Sequence, residues 1–239
     1  MSCISHHLRA ALVAALGLLA LTCTVPDILV TWEPDAFRTG QSLEKGRVDA
    51  AFAVTPAFSD LDAFGQSLVP NRAGLGLGLG NGFEARAGWS WIGTHNNRTD
   101  SMYWNLNAAE LRLRRQFIAQ DGFRLGGGAG LDVVWGDADG RRRYYGLRPM
   151  LQFAGGWFTS FGVGAYVPIS ATYTALKTES GTGFAVTPGF GVAYETEHFF
   201  VRAAYNYPAG DYTQHSDSVI RIMAPYYGLQ LGGRVRLFE

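Results

Sequence analysis

The chain has 239 residues with 20 Lys+Arg against 20 Asp+Glu, a length suited to one domain of ordinary size. This neutral balance speaks against nucleic acid as a partner, since no basic surplus exists to neutralise phosphates. Glycine at 31 residues with 13% aromatics is out of keeping with a soluble α/β enzyme and suits many strands joined by tight turns.

Residues 1–22 read as an export signal. Arg9, with His6 and His7 beside it, precedes the apolar run Ala10–Leu21, which is 12 residues long. That length fits a secretory h-region and falls short of the roughly 20 residues of a transmembrane helix. No later segment repeats such a run, which excludes a helical membrane protein. Cys3 lies in this leader, and Cys23 follows the run directly in Leu19-Ala20-Leu21-Thr22-Cys23. A lone thiol left in an exported chain has no disulfide partner. The segment resembles the lipobox of bacterial lipoproteins, which implies lipid attachment at Cys23, with Thr22 departing from the usual Gly or Ala. An ordinary signal peptide cleaved nearby, leaving a free thiol, is the other reading.

Residues 23–45 carry two prolines and no lasting periodicity, and are expected to form a periplasmic tether. From Gly46 the pattern changes to period two. Val48, Ala50, Phe52 and Val54 share one face of a first strand, and Leu75, Leu77 and Leu79 alternate with glycines in a second. Asn81-Gly82 makes a two-residue hairpin turn. Phe83, Ala85, Ala87, Trp89 and Trp91 then alternate with Glu84, Arg86, Gly88 and Ser90. Ala109, Leu111 and Leu113 oppose Glu110, Arg112 and Arg114. Leu125, Ala129, Leu131, Val133 and Trp135 oppose Arg124, Asp132 and three glycines. Segments near 143–154, 157–169, 182–195, 198–207 and 225–238 continue the habit. About ten strands result, each near the ~9–11 residues that cross a bilayer at a tilt.

Long polar connections (57–71, 93–102, 137–142, 170–181, 208–217) alternate with short ones around 81, 120, 155 and 196. Trp89, Trp91, Trp104, Trp135, Tyr145 and Tyr205 fall near the long connections, and Phe83, Phe123, Phe153, Trp157, Tyr194 and Phe199 beside the short ones. Two aromatic belts are what the two faces of a membrane select. On these features residues 46–239 resemble the small outer-membrane β-barrel proteins of Gram-negative bacteria. The resemblance implies a closed antiparallel up-and-down barrel with both termini periplasmic, lipids and lipopolysaccharide around it, and delivery by the barrel-assembly machinery. The last strand, ending Phe238-Glu239, is similar to the C-terminal assembly signal of that class, with its aromatic displaced by one residue.

With apolar faces turned to lipid, the charged faces point inward. One register sets Glu84 against Arg112 and Arg86 against Glu110, another sets Asp132 against Arg148, and closure brings Asp49 near Arg234 or Arg236. The hairpin at Asn81-Gly82 aligns Gly76 and Gly78 with Arg86 and Glu84, and a turn near 120 aligns Gly126, Gly128 and Gly130 with Arg114, Arg112 and Glu110. Long charged side chains, Arg124 among them, thus lie over strands that present no side chain. The expected result is a lumen plugged by ion pairs, in a structural or interaction-mediating barrel.

Neither GLGLGLGNG nor GGGAG matches a nucleotide-binding glycine motif, and no cofactor is expected. Arg141, Arg142 and Arg143 form a basic loop suited to lipopolysaccharide phosphates, with a solvated turn as the plainer reading. The preceding Asp137 and Asp139 fall short of an EF-hand loop. His95 and His215, with Asp100, Asp211 and Asp217 near in sequence, are the candidates for a rim-site hydrolase, but no complete catalytic arrangement is evident. A narrow pore for small or hydrophobic solutes, and a soluble barrel carrying a lipid inside, are the remaining alternatives.

Overall fold

A computed structural model describes residues 39–54, 66–96, 101–138, 142–176, 181–213, 219–223 and 226–237. Its strands are β1 (Arg47–Val54), β2 (Gln66–Gly80), β3 (Phe83–Asn96), β4 (Ser101–Gln120), β5 (Phe123–Ala138) and β6 (Arg142–Phe158). Then come β7 (Val163–Leu176), β8 (Gly181–Glu195), β9 (Phe199–Asn206), β10 (Ala209–Thr213), β11 (Val219–Met223) and β12 (Tyr226–Arg236). Each strand pairs antiparallel with its neighbours, and β12 returns to β1 with Arg234 opposite Asp49. β9 and β10 lie end to end along β8, and β12 and β11 lie end to end along β9 and β10. The protein is therefore a closed antiparallel barrel of 10 strands. The β8–β9, β9–β12 and β12–β1 pairings close the wall, so the edge strands that an open sheet would expose pair with each other there.

The alternation sorts side chains as a membrane barrel requires. On β4, Leu111 and Leu113 are 65% and 52% exposed, whereas Glu110, Arg112 and Arg114 between and beside them are buried. Leu75, Leu151, Val167, Phe184 and Val235 continue the apolar exterior around the barrel. Edge-on aromatic pairs stand at both ends of this band. Trp89 and Trp135 meet at 4.8 Å toward the long connections, and Tyr194 and Phe199 at 5.6 Å beside a short turn.

Two of the short turns are dictated locally. Asn81-Gly82 and Asp121-Gly122 have φ of 52° and 76°, and of 48° and 82°. Positive φ at both central residues is what a type I′ hairpin demands, and Asn-Gly and Asp-Gly supply it at least cost. The turn expected near 155 is displaced to Thr159–Gly162, where Gly162 N–H donates to the Thr159 carbonyl at 3.0 Å. Gly155 and Gly156 lie inside β6, and a Cβ on Gly156 would sit 2.8 Å from that of Tyr166. Gly156 makes room for Tyr166 and the Phe158 ring, and neither glycine makes a bend.

At the opposite end the strands run past the expected loop starts, and β4 and β6 reach 20 and 17 residues. That exceeds the ~9–11 residues that cross a bilayer at a tilt. Antiparallel pairing satisfies the backbone whatever the side chains, which is why polar stretches read as loops remain strand.

The β3–β4 register differs by two residues from expectation. Glu84 pairs with Arg114, Arg86 with Arg112, and Gly88 with Glu110. His95 pairs with Met102, already one residue from expectation, and Thr94 pairs with Trp104, so the extra residue Tyr103 adds the second for every pair below it. The β4–β5 pairing moves likewise, to Gly130 with Arg112 and Gly128 with Arg114, because the turn is centred on Asp121-Gly122 and Phe117 is bulged. An even shift keeps each side chain on its face, so the inward set survives while the partners change. The Asp132–Arg148, Gly76–Arg86 and Gly78–Glu84 alignments stand as expected.

A further regularity lies on the other side of the barrel. The β7–β8 ladder breaks after Tyr166–Gly191 and resumes at Ile169–Pro188, which sets Pro168 opposite Gly189. The β8 ladder to β9 and β10 breaks between Gly189–Asn206 and Val186–Ala209, which sets Pro208 opposite Thr187. Pro168, Pro188 and Pro208 thus cross three consecutive strands at one level, each withholding an N–H from the sheet.

Candidate functional site

The lumen is the candidate site, and it is closed in three tiers. Nearest the short turns, Glu195 on β8 accepts hydrogen bonds from Arg202 Nε (2.8 Å), Arg124 Nη1 (3.2 Å) and Arg234 Nη2 (3.3 Å). The Arg124 guanidinium lies 3.9 Å from the centre of the Phe158 ring, and Arg202 and Arg234 lie 4.2 and 4.8 Å from that of Phe200. Ring faces thus accept part of the cationic surface that carboxylates leave uncovered.

In the second tier Arg86 bridges two carboxylates. It donates to Asp49 at 2.7 and 3.1 Å and to Glu84 at 2.7 Å. Arg114 reaches Glu84 only at 3.5 Å. In the third tier Arg148 donates two hydrogen bonds to Asp132, at 2.9 and 2.6 Å, and Arg112 contacts the same carboxylate. Arg72 binds Glu110 at 2.7 and 2.8 Å, and the Ser90 hydroxyl donates to Glu110 as well. Bidentate guanidinium–carboxylate pairing is the strongest form of this contact, and burial requires such matching to offset desolvation.

Inward glycines make the space. A Cβ on Gly130 would fall 2.2 Å from Arg112 Cδ, and one on Gly76 would fall 2.5 Å from Asp49 Oδ1. Two other glycines admit backbone. A Cβ on Gly78 would lie 1.8 Å from the Glu44 carbonyl, and one on Gly126 would lie 2.6 Å from the Gly40 carbonyl. The segment before β1 therefore folds into the barrel mouth. Thr39, Gly40, Ser42 and Leu43 are buried there. The Leu43 N–H donates to Glu84 Oε2 at 2.9 Å, the Ser42 N–H to Gln116 Oε1 at 3.0 Å, and Arg124 Nη1 to Gln41 Oε1 at 2.6 Å. Within the segment expected as a tether, residues 39–43 therefore enter the barrel mouth, while Glu44 and Lys45 stay exposed at its rim.

Of the inward residues expected from sequence, Asp49, Glu84, Arg86, Glu110, Arg112, Arg114, Asp132, Arg148 and Arg234 are buried in the lumen, and Arg124 is partly so. In place of the expected Glu84–Arg112 and Arg86–Glu110 cross-strand register, the two-residue shift gives Glu84 to Arg86 and Arg114, and Glu110 to Arg72 and Arg112. Arg234 lies opposite Asp49 in register but binds Glu195. Arg236 stands outside the lumen, half-exposed, and binds Glu44 at 2.7 Å. Arg72, Glu195, Arg202 and Gln41 were not singled out: Gln41 lies in the expected tether, Arg72 just past the expected loop 57–71, and Glu195 and Arg202 in the expected strand segments 182–195 and 198–207, to which no inward charge was assigned. For Arg72 a signal existed, since it shares the inward parity of Gly74 and Gly76. Cys23, Arg141 and His215 lie outside the described residues, as do the side chains of His95, Arg142 and Arg143.

No protein-family model and no curated protein sequence matches the chain. Among solved structures, the β domain of the Bordetella autotransporter BrkA is similar at 10% identity, covering 82% of this chain and 100% of that one, with a TM-score of 0.49. The N-terminal β-barrel domain of Pseudomonas aeruginosa OprF gives 13% identity, 81% and 100% coverage and a TM-score of 0.36. Neisserial surface protein A gives 15% identity, 80% and 96% coverage and a TM-score of 0.36.

Proposed function

We propose that the protein is a non-enzymatic barrel of the Gram-negative outer membrane, with a sealed lumen and both termini periplasmic. It serves as a structural or interaction-mediating platform that displays its long-connection end outside the cell. The observation that carries this reading is the inversion of the barrel. Large apolar side chains cover its outside, while Asp49, Glu84, Glu110 and Asp132 are no more than 1% exposed within. A soluble barrel has the opposite arrangement, and an exterior this apolar needs lipid. Sealing by matched ion pairs and the 39–43 segment leaves the wall and the outer rim as the surfaces that meet partners.

Density-gradient fractionation of cells expressing the full chain tests the location. The protein is expected with the outer-membrane fraction and with heat-modifiable migration on detergent gels. Recovery in the soluble fraction would overturn the proposal.

A second reading, a narrow conduit, draws on the composition of the lumen wall at β7 and β8. Ser170, Thr172, Thr174 and Thr187 point inward there in place of charges. Under that reading the 39–43 segment is the stopper, and ion flow requires its withdrawal.

A further inference from the structure

Beneath the 41–44 segment lies a partly open cavity of about 20 Å³, bounded by Asp49, Glu84, Arg86, Arg114, Arg202 and Arg234. That space holds at least one species of water or monatomic-ion size, since one water needs roughly 10–15 Å³. The charges around it do not balance. Among the described residues, five guanidinium groups (Arg86, Arg114, Arg124, Arg202, Arg234) converge on three carboxylates (Asp49, Glu84, Glu195). Arg47 and Glu44, at the outer edge, bind each other at 3.3 Å and leave that difference unchanged.

The shortfall falls on two residues. Glu84 is already engaged by Arg86 and by the Leu43 N–H, so Arg114 is left with contacts of 3.5 Å to Glu84 and 3.4 Å to the Gln41 carbonyl. Arg234 shares Glu195 with two other arginines, and its buried Nε has no acceptor. The side chains of Arg114 and Arg234 are 6% and 7% exposed. An uncompensated buried charge is costly, and a neutral water solvates it without compensating it.

We propose that this cavity is an anion site that holds one monatomic anion of chloride size between Arg114 and Arg234. The anion supplies the negative charge that the lumen lacks, and it sits directly under the segment that closes the mouth. It thereby ties closure of the barrel to the halide around it.

The test uses the full barrel, folded in detergent, in sodium chloride, bromide or gluconate at one ionic strength. Gluconate is far larger than either halide and carries its charge on a carboxylate. The unfolding midpoint is expected to be about 3 °C higher in chloride and bromide than in gluconate, the shift of a site near saturation in a barrel of this size. Arg114→Met is expected to abolish that difference. Equal midpoints in the three salts, or a halide effect retained in Arg114→Met, would overturn the site. Should Arg114→Met not fold, crystals of the unaltered protein grown in bromide decide. An anomalous peak between Arg114 and Arg234 supports the site, and a water or a protein carboxylate there refutes it.

Discussion

Asp132→Ala is the most informative single perturbation of the lumen. Asp132 binds Arg148 through two hydrogen bonds and contacts Arg112, and none of the three side chains is more than 1% exposed. Its removal strands guanidinium groups away from water. Breaking a buried pair in this way costs about 3–5 kcal/mol, well above the median for a point substitution. In a chain of this size that corresponds to a fall of the unfolding midpoint by roughly 6 °C or more. Urea or thermal unfolding of the folded barrel, followed by heat-modifiable migration, reads the loss. The double variant Asp132→Ala/Arg148→Met is expected to recover about half of it, because only Arg112, 3.9 Å from Glu110, then remains to be compensated. Asp132→Ala within about 0.5 kcal/mol of the unaltered protein would refute the reasoning, since it would mean that water already reaches this tier.

Other expectations follow from register, plug and seam. Ala87→Cys with Leu111→Cys should form a disulfide under oxidation, whereas Ala87→Cys with Ala109→Cys should not, because Ala87 pairs with Leu111; the reverse outcome would restore the rejected register. Gly78→Val should expel the 39–43 segment, since even its Cβ would overlap the Glu44 carbonyl. Faster proteolysis near Lys45 with the barrel still folded is the expected reading, and unchanged cleavage would contradict it. Hydrogen exchange at Val167, Ile169 and Gly189, beside Pro168 and Pro188, should be faster than at Leu111 and Leu131, on the stretch of the β4–β5 ladder that is paired without a break from Trp104 to Gln116. Equal protection would mean that the proline row does not weaken the wall.

What was legible in the sequence was parity, and what was not was position along the strand. Glu84, Arg86, Glu110, Arg112 and Asp132 are inward because they alternate with Ala85, Leu111 and Leu131, and no slip of two residues alters that. Their partners depend on bulges at Tyr103 and Phe117, which no local signal marks. Asp121-Gly122 was a readable turn signal, whereas Gly155-Gly156 imitated one. The plug was hidden for another reason. Residues 39–43 have no periodicity because they enter the lumen as an irregular segment, and only the surplus glycines at 78 and 126 hint at something to be accommodated.

Planar-bilayer recording of the folded full-length barrel tests the sealed lumen most directly. Insertion without steady conductance steps is the expected result, in Gly78→Val as well, because the Asp132–Arg148 and Arg72–Glu110 pairs still close the lumen once the mouth segment is displaced. Steps appearing only in Gly78→Val would favour the conduit reading. Sustained ion-permeable steps from the unaltered protein would contradict a lumen closed by ion pairs and by residues 39–43.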